Sequence, residues 1–242
     1  PFALWVIESE KDIRTELPLP DAGLPVIFTD NQKPYKQRKV RILNGAHTSF
    51  VLASYLCGND IVLQSMQDTL VFEFMKKTIF DEIIPTLTLP AQELLDFAQA
   101  VIRRFRNPYV KHALLSISLN SVSKWRARCM PSLLAYCEKE GKLPTCQTFS
   151  LAALMAFYSG TEIREKALIG LRDGVEYQIM DDMPVLLFFA ENSGRAAEDF
   201  AKAVLANTSF WGQDLSAITG LTEAVSSYIN DIRENGMRKA ME

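Results

Sequence analysis

Three residues near the start of the chain have side chains and spacing suited to chemistry on a hydroxyl or carbonyl group. They are Lys39, Asn44 and His47, and apolar residues follow them from Phe50 onward. On an α-helix the three positions fit within one face, with Asn44 and His47 as i, i+3 neighbours. A polar face that enters an apolar helix needs protein partners or a ligand. The pattern indicates either a binding site or a helix start whose Asn and His bond within the protein.

A second polar stripe is predicted further along the chain. His112, Ser116, Asn120 and Lys124 recur at intervals of four among apolar residues, as they would on one helix. A solvent-facing stripe more often carries Glu, Lys and Gln, so this composition favours the wall of a cleft. We expect the two stripes to meet at one small pocket, with the tip of Lys124 within about 10 Å of the first three side chains.

The elements that position these residues are predicted to be mostly helices. Apolar residues follow helical spacing across residues 90–105, and a nearly uncharged run at residues 144–160 indicates a helix buried on most sides. Residues 2–8, 26–30 and 175–180 predict short extended pieces. The fold class is therefore mainly α, with a short extended N-terminal segment.

The composition excludes several classes of protein. The 242 residues are 48% hydrophobic and 23% charged, which excludes global disorder. A net charge of −3 excludes an overall basic nucleic-acid binder. The four cysteines form no C-x-x-C pair and there are two histidines, so we expect no metal site and reduced thiols in a cytoplasmic protein. The apolar opening without an initiator Met leads us to expect a domain of a longer protein.

Several motifs resemble those of the long-chain mannitol dehydrogenase family. The run Lys39-x4-Asn44-x2-His47 is similar to the family signature, and residues 104–108 with Ser123-Lys124 resemble its second characteristic region. The opening Phe-x-Leu-Trp-x-Ile-Glu and the closing Gly-Met-Arg also match, so the resemblance covers nearly the whole chain. It implies that residues 1–242 are one substrate-binding and catalytic C-terminal domain, multi-helical and of the 6-phosphogluconate-dehydrogenase-like type.

The resemblance also implies NAD-linked interconversion of a secondary alcohol and a ketone, without metal. Members of this family carry a Rossmann domain first and a helical domain second, with the active site between them. None of the eleven glycines here forms G-x-G-x-x-G. We therefore expect NAD to be bound mainly by a covalently linked Rossmann domain that this chain lacks, and the chain alone to be inactive.

Roles for the polar residues follow from that reaction. Lys39 serves as general base if desolvation and the neighbouring cations Lys36, Arg38 and Arg41 lower its pKa. Asn44 donates to the developing alkoxide or the ketone oxygen, and His47 orients the substrate hydroxyl or Asn44. Lys124 grips hydroxyls or the carboxylate of a sugar acid. Further candidates for substrate contacts are the other polar residues of the second stripe: His112, Ser116 and Asn120.

The substrate class is predicted from one departure within the family. Polyol-specific members carry an Arg where Ser116 stands, eight residues before the lysine that matches Lys124. Residues 39–48 and 119–124 look most like members that act on a sugar acid. We therefore expect a sugar-acid substrate, with an isomeric sugar acid or a plain polyol as alternatives.

The alternative outside enzymes is a helical module that binds nucleic acid or protein. Basic residues cluster in residues 33–41 and 103–128, which could form a positive surface. A solvated helix face accounts for most such runs. The negative net charge and the lack of a recognition motif argue against nucleic acid.

Overall fold

The computed structural model describes residues 4–242, and most of them are helical. Two segments are π-helical, Lys39–Gly45 and Thr78–Ile83, and short 3₁₀ turns lie at Ile84–Thr86 and Leu215–Ala217. The α-helices of this part of the chain are, in order, α1 (Lys33–Arg38), α2 (Ala46–Leu56), α3 (Val62–Gln67), α4 (Thr69–Lys77), α5 (Ala91–Phe105), α6 (Leu114–Ile117), α7 (Ser121–Arg128), α8 (Met130–Glu140), α9 (Thr145–Phe157), α10 (Met183–Asn192), α11 (Ala197–Leu205), α12 (Thr208–Trp211), α13 (Leu221–Asn235) and α14 (Met237–Met241). The predicted mainly α fold class is confirmed.

Two small sheets accompany the helices. Strands β1 (Trp5–Glu8) and β2 (Val26–Thr29) pair in parallel, with Trp5 opposite Val26. These strands confirm the predicted extended pieces at residues 5–8 and 26–29, whereas Phe2 lies outside the described residues. The pair has little cover, and Trp5 is 59% exposed.

The second sheet is antiparallel and was only partly predicted. It contains β3 (Glu162–Arg164), β4 (Ala167–Arg172) and β5 (Val175–Ile179) in that order. The extended piece predicted at residues 175–180 is β5, whereas β3 and β4 were not predicted. The missed signal is Asp173-Gly174, whose φ angles of 53° and 79° fit the two-residue hairpin turn that Asp-Gly favours.

Two nearly uncharged helices form the centre of the structure. Helix α9 is buried along almost its whole length, as predicted for residues 144–160, and it packs against α2 and α13. Small side chains such as Ala53 and Ala152, both fully buried, allow close helix approach. Helices with this composition are stable only when other elements cover them on all sides, so the other helices are arranged around α2 and α9.

A buried carboxylate caps the first turn of α9. Pro144 precedes this helix and has no side-chain oxygen to accept from the free N–H groups of the first turn. Glu82, in the second π-helical segment, accepts from the backbone N–H of Cys146 at 2.6 Å and of Gln147 at 2.9 Å. Burial raises the pKa of Glu82, and the two backbone donors oppose that rise. The central helix thus depends on a residue more than 60 positions earlier in the chain.

The single helix predicted for the second polar stripe is wrong. His112 precedes α6, Ser116 lies in α6, and Lys124 lies in the separate helix α7. Asn120 stands between the two helices with φ of 53°, a left-handed conformation that Asn adopts more readily than most residues. Its backbone N–H donates to the carbonyl of Met180 at 3.0 Å, after β5. The chain therefore turns where an unbroken helix was expected.

Candidate active site

The segment that carries Lys39 and Asn44 is a π-helix. It continues α1 without a break and runs directly into α2, since Arg38 and Ala46 at its two ends are both right-handed helical. The α-helical spacing assumed for this segment is therefore wrong. In a π-helix the hydrogen bonds join residues five apart, so Asn44 lies one turn after Lys39 on the same side. Single π-helical turns within α-helices are frequent at functional sites.

Lys39 is exposed at the edge of an open concavity of about 670 Å³, so the expected desolvation of this lysine is wrong for the described chain. The floor is largely apolar, and three further cations line it: Lys36, Arg38 and Arg104. The lining of this concavity includes Trp5, Tyr35, Lys36, Leu43, Phe97 and Arg104. The two arginines expected to crowd Lys39 have partners of their own: Arg38 donates to Glu93 at 3.5 Å, and Arg41 donates to Thr86.

His47 is enclosed between aromatic rings on the other side of Arg104. Its ring stacks on Phe105 at 3.9 Å between centroids and meets His112 edge-on at 5.8 Å. Its Nε2 is buried and has no hydrogen-bond partner among residues 4–242. Burial first, and then the charges of His112, Arg128 and Arg104, lower the pKa of His47 to about 3. The imidazole is therefore neutral at physiological pH.

A small cavity of about 250 Å³ opens beside this imidazole. Arg104 lines both this cavity and the Lys39 concavity, so the two share that side chain as a wall. His112 lines the small cavity and is held there by its backbone, which accepts from the N–H of Val62 at 3.0 Å. The structure thus places His112, predicted in the second stripe, beside His47.

Helix α7 packs directly against the point where the π-helical segment continues into α2. The Cys129 thiol donates to the carbonyl of Gly45 at 3.5 Å. The guanidinium of Arg128 donates to the Thr48 hydroxyl at 3.3 Å, and that hydroxyl donates to the carbonyl of Asn44 at 2.9 Å. Two chain segments about 80 residues apart are therefore joined beside Asn44.

Lys124 lies one helical turn before Arg128 on α7, on the same side of the helix. It is half-buried, and its ammonium donates to the carbonyl of Ile117 at 2.9 Å. Burial, followed by the charge of Arg128, lowers the pKa of Lys124, and Asp181 acts in the opposite direction. Lys124 thus lies beside Arg128, which contacts the first stripe, and the approach of its tip to within about 10 Å of Lys39, Asn44 and His47 stays a prediction.

The other two residues of the second stripe are exposed. Ser116 and Asn120 make no side-chain hydrogen bond within the described part of the chain. Their proposed substrate contacts remain predictions.

Arg104 belongs to a motif that resembles the family's, and both Arg104 and Arg128 belong to the predicted basic surface, but neither is among the predicted site residues. A signal that could have found them is charge segregation. Residues 97–137 contain seven Lys or Arg and no Asp or Glu, and residues 31–59 contain five Lys or Arg and no Asp or Glu. In a chain of net charge −3, these two acid-free segments are the ones that meet at Gly45 and Cys129. The site is therefore strongly positive.

Residues 4–242 contain no group of three or more His, Cys, Asp or Glu side chains placed to hold a metal ion. Among the helices described, none is long and apolar enough to cross a membrane.

A comparison with protein families finds one match, the mannitol dehydrogenase C-terminal domain, over residues 31–233. The chain belongs to this family. The resemblance read from the sequence is thereby confirmed, and the polar residues Lys39, Asn44, His47 and Lys124 all lie within the matched range of the mannitol dehydrogenase C-terminal domain.

Two curated relatives are altronate oxidoreductases. The protein of Yersinia enterocolitica serotype O:8 / biotype 1B is 44% identical over 246 residues, which is 99% of this chain and 49% of the relative. The protein of Klebsiella pneumoniae strain 342 is 44% identical over 247 residues, with 100% and 49% covered. This mannitol dehydrogenase C-terminal domain therefore spans about half the length of the relatives it matches.

A solved structure has the same fold. Pseudomonas fluorescens mannitol 2-dehydrogenase, in a ternary complex with NAD and D-mannitol, superposes with a TM-score of 0.81 at 22% identity. The match covers 99% of this chain and 46% of that protein. The helical architecture described above is thus that of the mannitol dehydrogenase C-terminal domain.

Proposed function

We propose that this chain is the substrate-binding half of an NAD-dependent dehydrogenase that interconverts D-altronate and D-tagaturonate. The observation that carries this proposal is 44% identity to altronate oxidoreductases over 99% of the chain. The positive site supports it, because a sugar acid carries one negative charge and a polyol carries none. Fructuronate reduction to mannonate and plain polyol oxidation are the alternatives within the same family.

In this reaction Lys39 takes the proton of the substrate hydroxyl. The lysine lies on an open concavity whose largely apolar floor would exclude water once another domain covers it. The base therefore becomes effective when the concavity closes.

Asn44 and His47 bind the oxygen and orient the substrate. Asn44 lies one π-helical turn from Lys39, so its amide can donate to the oxygen from which Lys39 takes a proton. His47 with a pKa near 3 is a neutral imidazole at neutral pH, with one N–H donor and one nitrogen acceptor, so we assign it hydrogen bonding and no acid catalysis. The partnerless Nε2 suits this role, because a substrate hydroxyl would satisfy it.

The residues of this chain fit one part of NAD. When bound, NAD supplies the hydride acceptor for alcohol oxidation. The concavity next to Lys39 has the volume and the largely apolar lining that a nicotinamide ring would need. The cradle for the pyrophosphate belongs on a Rossmann domain in the half of the relatives' length that this chain does not span.

The same reasoning extends to the compartment and the partner domain. All four cysteines are unpaired in the structure, which supports a reducing, cytoplasmic location. The exposed Trp5 on the parallel pair β1–β2 supports a covalently linked domain packed at this end, because parallel strands are rarely left uncovered.

The test is a steady-state assay of the full-length enzyme that contains this chain. NADH oxidation is measured with tagaturonate, fructuronate and D-tagatose. We expect the highest kcat/KM for tagaturonate and at least a 100-fold loss for the uncharged ketose. A preference for fructuronate would move the assignment to the isomeric sugar acid, and a preference for the ketose would overturn the sugar-acid reading.

A further inference from the structure

Two neighbouring cations on α7 stand beside the site without an acidic partner. Arg128 and Lys124 form no ion pair within 4 Å of a carboxylate among residues 4–242. The nearest acid that affects Lys124 is Asp181, which accepts from the hydroxyl of Tyr158 at 2.6 Å and from the N–H of Asp182 at 2.8 Å. Half-buried cations without a counter-ion are costly unless a ligand supplies the charge.

We propose that Arg128, paired with Lys124, binds the carboxylate of the sugar-acid substrate and sets the preference for acids over polyols. This inference rests on the proposed function. It assigns the carboxylate to a residue on α7 and gives Ser116, exposed on α6, no part in holding it.

The position of Arg128 suits this role. One of its five N–H donors is directed to the Thr48 hydroxyl at 3.3 Å, which anchors the guanidinium one residue after His47 in the sequence. The remaining donors can form the two parallel hydrogen bonds that a carboxylate accepts from arginine. Its charge also reaches the imidazole, since it contributes to the low pKa of His47.

The shape of the substrate agrees with this geometry. In tagaturonate the ketone and the carboxylate lie near opposite ends of a six-carbon chain. The ketone end belongs with Lys39 and Asn44, and the α7 cations lie on a different helix, joined to that segment through Thr48 and Gly45. A substrate that spans from the π-helical segment to α7 would present its carboxylate to Arg128 and Lys124.

A purely structural role for Arg128 makes a different prediction. If the Arg128–Thr48 hydrogen bond only held α7 on α2, then its loss would misplace the site for every substrate equally. If Arg128 binds the carboxylate, then its loss affects the acid and spares the uncharged analogue. The ratio between the two substrates therefore separates the two roles.

The experiment uses the full-length enzyme and compares Arg128→Gln with Arg126→Gln, an exposed arginine on the same helix. We expect Arg128→Gln to lower kcat/KM for tagaturonate about 100-fold while changing that for D-tagatose less than about threefold. Arg126→Gln should change neither. Thr48→Val, which removes the anchor and keeps the charge, should lower kcat/KM for tagaturonate more than that for D-tagatose, by a smaller factor than Arg128→Gln.

Equal losses on both substrates in Arg128→Gln, or no loss on tagaturonate, would overturn the inference and leave the proposed function intact. Should Arg128→Gln not fold, Arg128→Lys carries the same test, with an expected loss of about tenfold confined to tagaturonate. If the wild-type enzyme turns over ketoses and no ketouronate, the proposed function fails and this inference fails with it.

Discussion

The carbonyl oxygen of Arg128 faces Gly45 so closely that a β-carbon at position 45 would lie 3.1 Å from it. This contact is between backbones, so no side chain can move aside to relieve it. It sets the distance between the π-helical segment, which carries Lys39 and Asn44, and helix α7, which carries Lys124. A glycine at position 45 is therefore part of the geometry of the site.

Substitution of Gly45 by Ala should push α7 away from the π-helical segment. We expect a loss of about 1–3 kcal/mol in the free energy of unfolding, typical of overpacking at a rigid contact, measured by urea unfolding. The control is Gly194→Ala, because a β-carbon there meets nothing within 4 Å. Equal stability of the two variants would show that the contact can relax at no cost.

The low pKa of His47 predicts a loss of stability in mild acid. In the unfolded chain the imidazole takes a proton as the pH falls below about 6.5, whereas in the folded chain it stays neutral down to about 3. The unfolded state therefore binds more protons in this window, and stability falls as the pH is lowered. From pH 7 to pH 5 this one residue should account for about 2 kcal/mol.

Urea unfolding at the two pH values measures this effect. The drop should shrink by about that amount in His47→Gln and persist in His112→Gln, which keeps the enclosed imidazole. An unchanged pH dependence in His47→Gln would mean that other groups cause the acid sensitivity.

Removal of the buried cap on α9 should destabilise the whole chain. Glu82→Ala leaves the N–H groups of Cys146 and Gln147 buried without an acceptor, and each such group costs about 1–3 kcal/mol. Thermal unfolding followed by circular dichroism should show a clearly lower Tm than that of wild type. Asp81→Ala, at an exposed neighbouring position, serves as the control and should have little effect.

The chain of residues 1–242 alone should not oxidise NADH with any ketose or ketouronate. Its sequence lacks the glycine-rich loop that cradles a dinucleotide pyrophosphate, so nothing holds the nicotinamide against the substrate carbon. The assay compares the purified chain with its Lys39→Ala variant. Activity of the chain above that of the variant would contradict the expectation.

Much of the fold could be predicted because it follows from burial. The uncharged run that forms α9 and the helical spacing that forms α5 both reflect which face of a helix meets the core. The break at Asn120 escaped prediction because apolar residues keep the same spacing on both sides of it, and only the backbone angle of one residue differs. The Asp-Gly dipeptide between β4 and β5 indicates a hairpin, but the sequence around it was predicted to be mostly helical.

The site was predicted in its residue types more fully than in its arrangement. Lys39, Asn44, His47 and Lys124 lie in two segments that the structure joins, and this pairing follows from a family resemblance. The π-helical turn could not be predicted, because the pattern of side chains does not determine whether a backbone N–H donates to the carbonyl four or five residues earlier. The role proposed for Arg128 emerges only once α7 is seen against Thr48.

In the π-helical turn, the number of residues between two side chains does not correspond to the separation that an α-helix would give them. On an ordinary α-helix, a lysine and an asparagine four positions apart lie one turn from each other. Lys39 and Asn44 lie one turn apart on the π-helical segment although they are five positions apart. A protein with the shorter spacing could hold the same two side chains in the same relation, and a search by sequence motif would pass it over. Related chemistry in other helical domains is therefore better sought by superposing side-chain atoms than by counting residues between them.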